Sequence, residues 1–268
     1  MLGTGGAILA DTVTIRASKD TTLYESDSGD ISNGIGDHMF VGKSEFKLNR
    51  RSVIYFDIAD SIPAGADINS ATLTLRMSDT DSGPQPQSVH RLLTSWSEGE
   101  SHAARDESAG ALAAPTDATW VYSVFSNKLW DEEGGDFVEA ESASQSIDGV
   151  GFYSWIGVTL TSDVQVMLDD PSENFGWILI GEERGPDMVK RFDTKDNSVA
   201  HNRPALIVDF TPECVGDING DSVIDTADLG ILIAKFGTTG TSPDINNDGT
   251  VDTADLGIMI SVYGQSCP

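Results

Sequence analysis

The phrase Asp217-Ile-Asn-Gly-Asp-Ser-Val-Ile-Asp-Thr-Ala-Asp228 returns 27 residues later as Asp244-Ile-Asn-Asn-Asp-Gly-Thr-Val-Asp-Thr-Ala-Asp255, and each copy runs into Leu-Gly-Ile and an apolar stretch. A twelve-residue loop holds a hard cation when oxygens recur at positions 1, 3, 5, 7, 9 and 12, with position 7 supplied by the backbone. In the first copy those places fall to Asp217, Asn219, Asp221, the carbonyl of Val223, Asp225 and Asp228. In the second they fall to Asp244, Asn246, Asp248, the carbonyl of Thr250, Asp252 and Asp255. Four carboxylates in one short loop repel one another unless a divalent ion sits among them. The expected cofactor is therefore Ca2+, as two ions, one in each loop. Position 12 is Asp where a bidentate Glu is usual, and position 6 of the first loop is Ser222, whereas Gly249 keeps the glycine in the second. Two plain acidic turns are the alternative, and that reading requires the oxygen spacing to arise twice by chance.

No helix-forming stretch precedes Asp217, where the chain reads Val-Asp-Phe-Thr-Pro-Glu-Cys-Val-Gly, so each unit is a loop followed by one helix. With Asp at position 12 and a tandem copy, the segment from Cys214 to Pro268 resembles the type I dockerin family. That resemblance implies a fold around two calcium ions, near-twofold symmetry between the copies, and helices that bind a domain of another protein. Helical spacing places Leu229, Leu232, Ile233 and Phe236 on one stripe, repeated by Leu256, Met259, Ile260 and Tyr263, and the two stripes are expected to pack together. A second row, Ala227, Ile231 and Ala234, echoed by Ala254, Ile258 and Val262, leaves both helices apolar on another side and is the expected partner-binding surface. The alternative is that this row packs on the preceding domain of the same chain.

The chain's two cysteines, Cys214 and Cys267, bracket the duplicated module. A disulfide between them would clasp its ends, worth ~4 kcal/mol by loop-closure entropy, which a core this small needs. The pairing also points to an oxidising, extracellular compartment, where calcium is plentiful.

The net charge is -27, from 43 acidic and 16 basic residues, and the module from Cys214 carries eight aspartates against Lys235 alone. Acidity is thus general, and it excludes nucleic acid as a partner. No apolar run has the length of a membrane span, so no membrane-spanning segment is expected. Residues 1–10, Met-Leu-Gly-Thr-Gly-Gly-Ala-Ile-Leu-Ala, read as a signal-peptide remnant or a retained N-terminal arm. The expected location is secreted and cell-surface associated.

Residues 11–212 read as mainly β, and 213–268 as a small α module of two calcium loop-helix repeats. Thr12 to Arg16, Ser52 to Ile58, Ser70 to Met77, Trp177 to Gly181 and Ala205 to Phe210 have strand character, most of them alternating apolar and polar residues. One short helix is predicted with Ser162 as N-cap and a stop before Pro171, and Gly99 to Pro115 is predicted as a long surface loop. Asn33-Gly-Ile-Gly, Arg50-Arg51-Ser-Val-Ile-Tyr-Phe56-Asp57, Ile62-Pro63-Ala-Gly65-Ala66, Ser70-Ala-Thr-Leu-Thr-Leu75, Trp96-Ser-Glu-Gly99, Gly134-Gly-Asp-Phe137, Asn174-Phe-Gly-Trp177 and Lys190-Arg191-Phe192 occur in the order seen in DNRLRE-type domains. The first domain resembles that family, which implies a secreted, non-catalytic, jelly-roll-like β-sandwich, some of whose relatives bind polysaccharides such as alginate. Where the family continues with Ser-Arg-Glu, this chain has Asp193-Thr194-Lys195-Asp196.

An acidic sandwich should repel an anionic polysaccharide unless Arg50, Arg51, Lys190, Arg191, Lys195 and Arg203 form a basic patch; pairing of these six with carboxylates is the reading preferred. The five tryptophans are expected mainly in the core rather than as sugar platforms. Close acidic pairs such as Glu132-Glu133 and Asp169-Asp170 are expected to solvate turns, the four histidines lack metal-ligand spacing, and no enzyme is expected. Two functions of different class remain. One is a non-catalytic structural or adhesive protein, joined by its calcium module to a protein partner or to further copies of itself. Within it, Ala10 to Arg16, with Val13 and Ile15 on one face, would add as a strand to a neighbour's sheet and build a filament. The other is a polysaccharide-binding module delivered to a degradative complex.

Overall fold

A computed structural model of the chain describes residues 10–240 and 243–267; most of the segment read as a leader or arm, residues 1–9, lies outside them. The chain divides into two compact units, a larger one built from Thr12–Ala64 and Ile68–Asp209 and a smaller one carried mainly by the residues from Phe210 on.

The larger unit is mainly antiparallel β. Among the described residues its strands are β1 (Asp11–Arg16), β2 (Lys19–Tyr24), β3 (Ile31–Ser32), β4 (His38–Lys43), β5 (Asn49–Tyr55), β6 (Asp67–Thr80), β7 (Gln85–Arg91), β8 (Ala111–Leu112), β9 (Tyr122–Val124), β10 (Lys128–Leu129), β11 (Ala143–Ile147), β12 (Gly151–Ile156), β13 (Trp177–Ile180), β14 (Lys190–Asp193) and β15 (Ala205–Thr211). Eleven of them form one sheet in the order β1-β15-β6-β14-β4-β5-β13-β7-β11, with β12 added on β6 and β2 on β5. The sheet curls on itself at β4, whose first part pairs with β14 (Val41 opposite Lys190) and whose end pairs with β5 (Gly42 opposite Arg50). Gly42 permits the switch: its φ is 119°, and a Cβ there would meet the Met188 carbonyl oxygen at 2.3 Å.

The long strand β6 alternates as its sequence predicts, with Ala71, Leu73, Leu75 and Met77 buried and Thr72, Thr74 and Arg76 half-buried. Strand β13 behaves differently, because both of its faces are covered. Trp177 packs edge-on against Phe56, while Ile178 turns the other way into a second cluster with Leu23, Val53, Leu92, Trp96, Trp120 and Trp130. A strand buried on both sides reads as an unbroken apolar run, here Trp-Ile-Leu-Ile. All five tryptophans are buried.

Helix α1 (Val158–Asp169) starts four residues before the predicted Ser162 cap. Gly157 is its N-cap, and Ser162 lies inside the helix, donating its hydroxyl to the Val158 carbonyl. Apart from strand β8, the segment 99–115 is irregular but pinned: Ser101, Ala103 and Glu107 are buried, and Glu107 accepts hydrogen bonds from Asn33 Nδ2 and from the amides of Asp37 and His38 at 2.9–3.1 Å. The strand β1 sits beside β15 at one edge of its own sheet, with Ile15 buried.

The six cations proposed as a patch are each engaged, but only half of them by carboxylates. Arg51 grips Glu183 with two N–H groups at 2.8 and 3.0 Å, Arg191 faces Asp79 at 3.5 Å, and Lys195 reaches Glu98 and Asp196. Lys190 is fully buried and donates to the carbonyls of Ser82, Gly83 and Asp148, while Arg50 and Arg203 likewise donate to backbone carbonyls.

Candidate metal centre and docking surface

In the smaller unit each loop ends where a helix begins. Helix α2 (Thr226–Lys235) is capped by Asp225 and helix α3 (Thr253–Val262) by Asp252, each through a capping box closed by the aspartate three residues on. The side chain of Asp225 accepts from Ala227 N, and the Asp228 Oδ2 accepts from Asp225 N at 2.9 Å. The loop carboxylates are held by backbone amides. Asp217 accepts from the amides of Gly220, Asp221 and Ser222, and Asp228 Oδ1 from those of Ile218 and Asn219. The second loop repeats most of this pattern: Asp244 accepts from Asp248 and Gly249, and Asp255 from Ile245, Asn246 and Asp252. Burial pushes the carboxyls of Asp228 and Asp255 upward, but the amides aimed at them outweigh it and hold both below the usual range, so both stay ionised.

These residues fit a hard cation. One carboxylate oxygen each from Asp217, Asp221 and Asp228 lies within 4.8 Å of the other two. Position 6 takes a left-handed conformation in both loops, with φ 70° at Ser222 and 93° at Gly249. The chain therefore bends at Ser222 as a glycine would, at a backbone cost that glycine avoids.

The two repeats brace each other crosswise. Ile224, at position 8 of the first loop, exchanges backbone hydrogen bonds with Gly264 and Gln265, which follow α3, while Val251 does the same with Gly237 and Thr238, which follow α2. Ile224, Val251, Leu232 and Met259 form the core of the unit, joined by Leu229, Leu256 and Val262, and the disulfide Cys214–Cys267 packs against it. The expected helix stripe thus divides. Leu232 and Met259 are buried, whereas Ile233, Phe236, Ile260 and Tyr263 are 58%, 46%, 64% and 44% exposed. The second row also divides: Ala227, Ala234 and Ala254 are exposed, Ile231 and Ile258 are half-buried, and Val262 packs against the core. The position 8 side chains Ile224 and Val251 already fill the interior, so a ten-residue helix has room for little more than one buried turn.

Two loop-helix repeats with amide-held carboxylates, closed by a disulfide, define a cation-loop module of the docking kind. Residues 215–262 match the Dockerin type I domain family, and this part of the chain is a dockerin type I domain. Calcium is the ion that family implies. A solved structure described as a type II cohesin-dockerin domain from Bacteroides cellolosolvens is 38% identical over 20% of this chain and 92% of its own, with a TM-score of 0.20. No curated protein matches. A dockerin domain implies a role in the assembly of a protein–protein complex. No helix among the described residues is long and apolar enough to cross a membrane.

Proposed function

We propose that this chain is a non-catalytic extracellular subunit, structural or adhesive, whose β domain is tied into a cell-surface complex when its calcium-loaded dockerin domain docks on a cohesin-type partner. The observation that carries this reading is the exposed row Ile233, Phe236, Ile260 and Tyr263 on α2 and α3, four large apolar side chains left in water by a unit whose core is already filled. The exposed aromatics Phe236 and Tyr263 are the side chains that anchor interfaces well. Two ions, one in each loop, complete the site. A non-catalytic role accords with the acidic pairs: Glu132 and Glu133 are exposed in a turn, and Asp170 caps a short helical turn through Ser172. The β domain's phrases support a DNRLRE-like sandwich. Co-elution of the full chain with a cohesin domain on size exclusion, present in calcium and absent after chelation, is the expected result; co-elution indifferent to calcium contradicts it.

A second reading has its own observation. A cleft of about 640 Å³ on the β domain is lined by Phe46, Arg50, Asp79, Asp106 and Arg191, and Phe46 is 76% exposed. An exposed ring beside hydrogen-bonding charges suits a polysaccharide. Binding on a glycan array that Phe46→Ala abolishes would favour a carbohydrate-binding module delivered by its dockerin.

A further inference from the structure

Far from the dockerin loops in sequence, three more carboxylates converge. One oxygen each from Asp20, Glu98 and Asp196 lies within 4.8 Å of the other two. Asp20 stands on β2 and is 1% exposed, Glu98 belongs to the stretch after β7, and Asp196 follows β14. The arrangement is built by backbone: Asp20 N donates to Glu98 Oε1 at 2.7 Å, and Lys195 N donates to Asp20 Oδ2 at 2.7 Å. The other oxygen of Asp20, Oδ1, is buried with no hydrogen-bond partner. A buried carboxylate oxygen left unpaired is costly and calls for a partner.

The neighbouring lysines do not satisfy it. Lys195 Nζ lies 3.2 Å from Glu98 Oε2 and 2.9 Å from Asp196 Oδ2, and Lys19 Nζ donates to the Trp96 carbonyl and sits over the rings of Tyr55 and Trp96. Hard cations take six to eight oxygens from carboxylates, carbonyls and water, and three convergent carboxylates supply the charged part of such a shell.

We propose that Asp20, Glu98 and Asp196 form a calcium site in the β domain, separate from the dockerin loops. Its role is to reinforce the ties from β2 to the segments that follow β7 and β14, which the Asp20–Glu98 and Lys195–Asp20 hydrogen bonds begin.

Terbium tests this on the full chain, because all five tryptophans lie in residues 96–177 and the dockerin domain has none. Tryptophan-sensitised terbium emission that the three β-domain substitutions reduce therefore reports the β-domain site. The expected result is tryptophan-sensitised emission that calcium competes away and that Asp20→Asn or Glu98→Gln weakens on the order of tenfold in apparent affinity. Asp196→Asn, at a half-exposed position, gives the same reading should Asp20→Asn fail to fold. Equilibrium dialysis of calcium should lose one ion per chain in each variant. Absence of sensitised emission, or equal emission and equal calcium uptake in wild type and variants, would overturn the proposal.

Discussion

The two halves of this molecule use buried carboxylates in opposite ways. In the dockerin domain Asp228 and Asp255 are met by amides from residues no more than ten positions away. In the β domain Asp20 draws its partners from 78 and 175 positions away, and one of its oxygens meets no hydrogen-bond donor among the described residues. A site assembled from one loop can be copied, which is what the repeat records. One assembled by sheet topology exists only once the whole sheet has formed.

The comparison is most sharply tested at the ends of the dockerin domain. Replacing Cys214 and Cys267 by Ser should cost that domain ~4 kcal/mol by the loop-closure argument and leave the β-domain transition in place. Calorimetry with and without calcium measures both. Next in size is Glu107→Ala, which strands the Asn33 amide and the backbone amides of Asp37 and His38, at a cost of about 3 kcal/mol to the β domain alone. Burial pushes the Glu107 carboxyl up, but the hydrogen bonds from His38, Asn33 and Asp37 prevail and hold it below its ordinary 4.5. A depressed folded value means that this contribution is present above pH 4.5 and is lost as the pH falls through the folded value. Acid unfolding of wild type and Glu107→Gln should therefore converge at low pH.

Smaller effects probe the surface and the loop. Ile233→Ser with Ile260→Ser should weaken cohesin binding at least ~10-fold while changing stability by no more than about 0.5 kcal/mol, because both side chains are already in water. A large loss of stability would place them in the core after all. Ser222→Gly should stabilise the calcium-loaded dockerin domain by about 1 kcal/mol, since the residue already holds φ 70°; a urea titration in calcium reads the change.

How much of this was legible follows the same division. The loop-helix order and the start of α2 at Thr226 stand in a contiguous phrase, as do the expected metal ligands, and needed no knowledge of the fold. Helical spacing grouped Ile233 and Ile260 with Leu232 and Met259, but it has no means of knowing that Ile224 and Val251 fill the interior from the loops. In the β domain the alternating strands such as β6 were readable. Strands β2 and β7 were not, because Lys-Asp-Thr-Thr-Leu-Tyr and Gln-Pro-Gln-Ser-Val-His-Arg bury polar residues in places where an alternating pattern expects apolar ones, and β11, Ala-Ser-Gln-Ser-Ile, is short and buries only its two apolar ends. The meeting of Asp20, Glu98 and Asp196 left no mark in the sequence, because nothing local distinguishes these three among 43 acidic residues.

Isothermal titration of the full chain with a purified cohesin domain, in calcium and again after chelation, bears most directly on the account. Binding in calcium that disappears with the ion, and that the Ile233→Ser/Ile260→Ser chain has lost, is the result the account predicts. Binding that survives chelation, or that the doubly substituted chain retains in full, would contradict it.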